Sequence, residues 1–356
     1  GIWWFIFARH YESTDDAYVS GNVVQVTPQV GGTVLAIHAD DTELVKAGAP
    51  LIDLDQTDAK VALDQAESQL AQTVRDVRML YVNNGTLTAN IGLRTADVTK
   101  ARNDLTRRTS LIGTGAVSNE DVSHARSALQ AAESALTAAR QQLASNQVMT
   151  DHTTIANNPS VRRAATQVES AYLTLSRATM VAPISGYIAK RSVQVGQRVA
   201  PGAPLLSIVP LDALWVDANF KEVQVAHMRI GQPVELHSDL YGSGSTYHGK
   251  VVGMAAGTGS AFALLPAQNA SGNWIKVVQR IPVRIALDAQ ELSQRPLRVG
   301  LSMQVEVDIA HAEGTSLTSS APARTTPAYE TKVFDDAGKK VTERIARIIA
   351  ANGGKA

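Results

Sequence analysis

The sequence predicts a multidomain α+β chain. A long antiparallel helical coiled-coil hairpin is inserted in a small β module, and a small antiparallel β-barrel follows. Three observations predict this. The β module is written twice, first as Val30-Gly-Gly-Thr-Val34 with Val45-Lys-Ala-Gly-Ala-Pro-Leu51, then as Ile184-Ser-Gly-Tyr-Ile188 with Val199-Ala-Pro-Gly-Ala-Pro-Leu205. Gly32 and Gly186, Gly48 and Gly202, and Pro50 and Pro204 are each 154 residues apart, so the register is kept without a gap. Between the copies apolar residues recur in sevens, and after them short alternating segments are punctuated by glycine. Two half-modules so far apart must meet in space, so the helices between them leave and return to one point.

The chain opens on Gly1-Ile-Trp-Trp-Phe-Ile-Phe7, wholly apolar up to Arg9-His10. Seven residues cannot span a bilayer, which takes ~20 in a helix. With Trp3, Trp4 and Phe5 placed as an interfacial aromatic belt would be, residues 1–12 read as the end of a membrane anchor. An apolar strand or a disordered end is the alternative. Residues 13–56 are strand-like, with Val23, Val24, Val26, Val30, Val34 and Ile37 between turn signals, and form the first half of the module. Thr57-Asp58 then opens a helix with Thr57 as its N-cap.

Residues 57–178 are the hairpin. Leu63, Leu70, Val77, Ile91, Val98 and Leu105 form one row, with Ala66, Leu80, Leu87 and Ala101 three residues on, the a/d seam of a left-handed coiled coil. Asn84-Gly85 interrupts the pattern and Arg94 sits in the seam, which predicts a local irregularity near the middle. Gly113 and Gly115 end the run, and Ser118 with Asp121 three residues later restarts it as a capping box. Val122, Leu129, Leu136 and Leu143 return, with Ala125, Ala132 and Ala139 beside them to let the helices approach closely. A break is expected from His152 to Pro159, after which Val161, Val168 and Leu175 resume the spacing. At ~1.5 Å per residue the arm is roughly 75–90 Å long.

Residues 179–210 supply the second half of the module. Residues 211–310 return to short strands, among them Leu214–Phe220, Gln232–Leu236, Gly249–Gly253, Ile281–Ile285 and Met303–Val307, which predict the barrel. A Gly/Ala/Ser/Asn-rich stretch from Gly257 to Gly272 reads as a long surface loop. Residues 311–356 are a linker and tail, in which Val341, Ile345, Ile348 and Ile349 carry a weak helical period. Whether that segment docks or stays mobile is left open by the sequence.

Chemistry is hard to find. Lys+Arg and Asp+Glu are both 33, so the balance offers no electrostatic case for nucleic acid. Cysteine is absent, which excludes disulfides and thiolate-bound metals. The eight histidines show no HxH or HExxH spacing, no serine sits in a GxSxG elbow, and the short Gly-x-Gly fragments lack the rest of a phosphate loop. No catalytic, metal or cofactor residue is therefore assigned, and no enzyme activity is expected.

The duplicated halves resemble lipoyl and biotinyl carrier domains, so the module is expected to be a lipoyl-like barrel-sandwich hybrid. Those carriers hold their cofactor on a lysine at the turn between the halves. Here that junction, Asp53-Leu-Asp-Gln-Thr57, has no lysine before Lys60 and receives the helical insertion instead. With module, hairpin and barrel together, the chain resembles the periplasmic adaptors, or membrane fusion proteins, of tripartite efflux pumps, in particular the EmrA-type subgroup of the HlyD-like family. The most specific stretches are Thr14-Asp-Asp-Ala-Tyr-Val-Ser-Gly21, Leu214-Trp-Val-Asp-Ala-Asn-Phe-Lys-Glu222, and the region from Gly257 through Arg280.

That resemblance implies a single-pass inner-membrane anchor, a body in the periplasm of a Gram-negative bacterium, and a hairpin directed at the outer membrane. It also implies an EmrB-like inner-membrane partner of the proton-driven major facilitator kind, a TolC-like outer-membrane channel, and a homo-oligomer, a hexamer in the assembled pump. Adaptors that dock on such channels carry Arg, three residues, Leu, six residues and Ser at the helical turn, and Arg107, Leu111 and Ser118 match that spacing. An ordinary turn, with Leu111 closing the coil and Ser118 only capping, is the alternative. At the level of function the alternatives are an adaptor for protein secretion by an ABC transporter, and a small-molecule-binding carrier module.

Overall fold

The structure is a computed structural model that describes residues 10–242, 244–258, 278–310, 314–317 and 325–354. Trp3, Trp4 and Phe5 of the expected anchor, and most of the expected loop from Gly257 to Gly272, lie outside the described residues. Contacts divide the chain into two compact units, one formed up to Leu54 and from Thr179 to Val333, the other from Asp55 to Ala178 and from Phe334 onward.

The first unit is β-rich. Its strands are β1 (Tyr11–Ser20), β2 (Val24–Val26), β3 (Gly32–Ile37), β4 (Leu44–Val45), β5 (Pro50–Leu54), β6 (Thr179–Val181), β7 (Gly186–Arg191), β8 (Arg198–Val199), β9 (Leu206–Val209), β10 (Trp215–Lys221), β11 (Pro233–Ser238), β12 (Thr246–Met254), β13 (Arg280–Leu287) and β14 (Ser302–Asp308). Two four-stranded sheets, β2-β9-β7-β4 and β6-β5-β3-β8, form the module, and each takes two strands from either half. The halves are interleaved rather than side by side, which fixes the ends of the inserted helices together.

The repeat is visible bond by bond. Gly32 pairs with Val199 and Val45 with Gly186, and these two pairs exchange under the 154-residue offset. Likewise the Thr42 N–H donates to the Ile188 carbonyl at 2.9 Å, and the Gly196 N–H to the Val34 carbonyl at 2.8 Å. Both donors occupy the left-handed region, Thr42 at φ 72° and Gly196 at φ 82°, so one copy holds a β-branched residue where the other uses glycine. Val34, Leu51, Ile52, Ala182, Val193 and Ile208 are fully buried between the sheets.

The barrel is closed, in the order β1-β10-β13-β12-β11-β14, which leaves no free sheet edge. Alternate residues point inward, as Val216, Ala218 and Phe220 do on β10 and Val234 and Leu236 on β11. Here one expectation needs correction. Residues 13–56 were assigned to the module, yet β1 pairs with β10 and β14 and closes the barrel (Ala17 opposite Ala218, Thr14 opposite Val305). A strand pattern reports that one face will be buried, not which sheet buries it. Short helices α4 (Glu222–Val225) and α5 (Ala289–Gln294) follow β10 and β13.

That unit holds α1 (Thr57–Leu111), α2 (Asn119–Gln147), α3 (Pro159–Ser176) and the C-terminal α6 (Asp335–Gly353). Helix α1 has 55 residues, about 80 Å at 1.5 Å each. Its N-cap is Gln56 rather than Thr57; Thr57 is the first helical residue, and Asp55 Oδ1 accepts from its N–H at 3.0 Å and from its hydroxyl at 2.7 Å. The expected irregularity near Asn84-Gly85 does not break α1, and Arg94 is exposed beside Asp97 at 3.5 Å. The discontinuity lies on the return path, where α2 ends at Gln147 and α3 begins at Pro159, so the break starts before His152. Asn158 caps α3 by accepting from the Ser160 N–H at 3.0 Å, and Pro159 occupies the first helical position where no N–H is needed.

The C-terminal segment docks. Val341 of α6 is buried with Leu63, Leu70, Val74 and Val77 of α1 and Val161, Ala164 and Val168 of α3. Arg344 pairs with Glu67, a contact that raises its pKa further above the ordinary guanidinium value. The base of the hairpin is thus a three-helix bundle, and beyond it only α1 and α2 remain.

Candidate docking tip of the hairpin

The tip is built by local rules. Helix α1 ends at Leu111, a single 3-10 turn covers Ile112–Thr114, and Gly115 turns the chain at φ 72°, its N–H reaching the Ile112 carbonyl at 3.3 Å. Thr114 Oγ1 donates to the Leu111 carbonyl at 2.7 Å, satisfying one acceptor at the helix end. Ser118 then starts α2. Its hydroxyl accepts from the Asp121 N–H at 3.0 Å and donates to Asp121 Oδ2 at 2.6 Å, while the Ser118 N–H donates to the same oxygen at 3.1 Å. The reciprocal capping box is therefore complete. These bonds, the side-chain one first, hold the Asp121 carboxyl below its ordinary value.

Sequence reasoning placed Arg107, Leu111 and Ser118 together, and all three lie in this turn region. Their surroundings differ. The Arg107 side chain is 72% exposed and leans on Asp104, three residues back, while Arg108 Nε donates to the other Asp104 oxygen at 2.7 Å. The Arg108 hydrogen bond, with Arg107 beside it, lowers the Asp104 pKa. Arg108 also faces Asp121 across the turn at 3.9 Å. Leu111 is 39% exposed and its neighbour Ile112 40%, so two aliphatic side chains, not one, stand at the turn in partial contact with solvent. Ser118 is committed to its own helix.

Two residues were missed. Asp104 orients both arginines, and its signal was present as an acid three and four residues before two cations, the spacing that meets on one helix face. Ile112 belongs to no heptad row, because a residue just past the last helical turn has no seam to enter. Together the tip presents a cation, a pair of aliphatic knobs and a rigid cap. It holds no arrangement for catalysis; it can fit a complementary groove. Among the described residues no helix is long and apolar enough to cross a membrane.

Comparison with known proteins covers almost the whole chain. The family model described as EMRA, alpha-helical hairpin domain, matches residues 57–178, and the AAEA-like beta-barrel domain matches residues 213–308. The Multidrug export protein EmrA of Escherichia coli (strain K12) is 46% identical over 354 residues, 99% of this chain and 90% of that protein. The Fatty acid resistance protein FarA of Neisseria gonorrhoeae is 47% identical over 331 residues, 93% of this chain and 84% of that protein. A solved structure of the periplasmic adaptor protein EmrA aligns with a TM-score of 0.42 at 17% identity, covering 84% of this chain and 98% of that one.

Proposed function

We propose, because this chain belongs to the EmrA-type family of membrane fusion proteins, that it is the periplasmic adaptor of a tripartite drug efflux system. Its work is mechanical rather than catalytic. In this reading the β unit engages an EmrB-like, proton-driven major facilitator exporter in the inner membrane, and copies of the chain, six in the assembled pump, align their hairpins toward a TolC-like outer-membrane channel. The apolar run with Trp3, Trp4 and Phe5 anchors each copy in the inner membrane. One relative is named for multidrug export and another for fatty acid resistance, which supports apolar or amphipathic compounds as the cargo.

The observation that carries the docking part is the capped turn itself. Arg107, Leu111 and Ile112 are displayed at the far end of α1, and Ser118 keeps the turn in shape through its box with Asp121. A half-exposed aliphatic pair with a cation one turn away suits a groove between two helices of a channel. Leu111→Ser and Arg107→Asp are each expected to reduce efflux-dependent resistance to that of cells lacking the protein, with helix content by circular dichroism unchanged. Full resistance in both variants refutes the docking role of this tip.

A further inference from the structure

Halfway along the hairpin the seam changes chemistry. Leu63, Leu70, Val77, Asn84, Ile91, Val98 and Leu105 follow one another at heptad spacing, and Asn84 is the single polar member. Asn146 Nδ2 on α2 donates to Asn84 Oδ1 at 2.8 Å and to the Leu80 carbonyl at 2.9 Å. Asn84 Nδ2 donates to Oγ1 of the buried Thr150 at 2.8 Å. One turn below, the Tyr81 hydroxyl donates to the Thr153 carbonyl at 2.8 Å. Both amides of the layer are thus satisfied from across the hairpin, at the level where α2 gives way to the break before α3.

We propose that this polar joint is the register lock of the distal coiled coil. The capped turn between Leu111 and Asn119 holds the two helices together at the tip, but along the seam between that turn and the joint the side chains do little to choose a register. Its buried side chains are Val98 on α1 and Val122, Ala125, Leu136 and Ala139 on α2, and Ala125, Ala132 and Ala139 recur every seven residues. A slip of one heptad presents nearly the same small apolar surface. Arg102 meets Glu133 across the hairpin at 2.9 Å, but both side chains are about half exposed, and exposed ion pairs discriminate weakly. The joint discriminates strongly. One heptad of slip sets Asn146 against the level of Val77 or Ile91, so two amides in a seam layer lose their partners together. A single polar residue at a seam position fixing register at some cost in stability is the best-attested use of such a group.

The consequence concerns placement of the tip. A one-heptad slip moves the two strands of the hairpin by about 10 Å relative to each other and draws different residues into the turn. The test needs no assumption about what the tip binds. The chain has no cysteine, so Ala96→Cys with Arg140→Cys places two spin labels on exposed positions of α1 and α2. In the full-length protein, pulsed dipolar spectroscopy should give one narrow distance. Adding Asn84→Leu and Asn146→Leu should keep helix content while producing a second population, displaced along the axis by about 10 Å. An unchanged single narrow distance in that variant overturns the proposal. So does loss of helix content, because two leucines in a seam layer should hold the coil together if the joint serves register alone.

Discussion

The two halves of the hairpin are built to different standards. At the base, α1, α3 and α6 enclose Leu70, Val74, Val161 and Val168 with no solvent contact. Toward the tip two helices pack alone, and few side chains are buried between them, with Val98, Val122 and Leu136 still 6–8% exposed. A two-helix coil cannot surround a side chain as a three-helix bundle can. The base therefore holds the stability of the arm, and the distal half depends on caps and specific polar contacts to keep its shape.

Core truncations should separate the halves most widely. Leu70→Ala should cost about 3 kcal/mol in chemical denaturation, since a fully enclosed leucine leaves a cavity that three helices cannot close. Leu136→Ala in the thinner coil should fall near about 2 kcal/mol, the low end of that range. Equal costs at both sites would erase the distinction. Next in size, Ser118→Ala removes the α2 cap and should cost roughly 1 kcal/mol, read as faster amide exchange over Asn119–Val122 with exchange at Leu70 unchanged.

The smallest effect is a pH dependence. Because Ser118 lowers the Asp121 pKa below its ordinary 3.8, the charge-assisted part of the cap is fully present above that value and is lost as pH falls through the depressed one. Asp121→Asn should therefore speed exchange at the start of α2 at pH 7 and make no difference once the wild-type carboxylate is protonated. A difference persisting in strong acid would show that the asparagine harms the cap for another reason.

Much of this was legible in the residues. The Ser118–Asp121 box was readable because a cap is settled within four residues. The Asn84-Gly85 interruption was noticed, but it was read as a flaw in α1, whereas the helix runs through and its side chain serves the opposite arm. A lone asparagine in a seam looks the same from sequence whether it breaks a helix or finds a partner; Asn146 lies 62 residues away. Similarly, Thr57 looked like a cap, but it is the first helical residue, and the Asp55 carboxylate accepts from its N–H.

What the sequence by itself determined is whatever periodicity and proximity along the chain encode: the split module with its offset of 154, the heptads, the turn and its cap. These depend on backbone geometry, which repeats every two, three and a half or four residues and leaves a trace in the order of side chains. Only the tertiary structure decided where β1 goes, what α6 covers and which residue answers Asn84. Strand β1 closes a barrel with β10, whose Ala218 pairs with Ala17 across 201 positions of sequence. Helix α6 returns to cover α1 from the far end of the chain. Such pairings are chosen by shape and hydrogen-bond complementarity between surfaces that exist only after each element has formed, so no local pattern announces them.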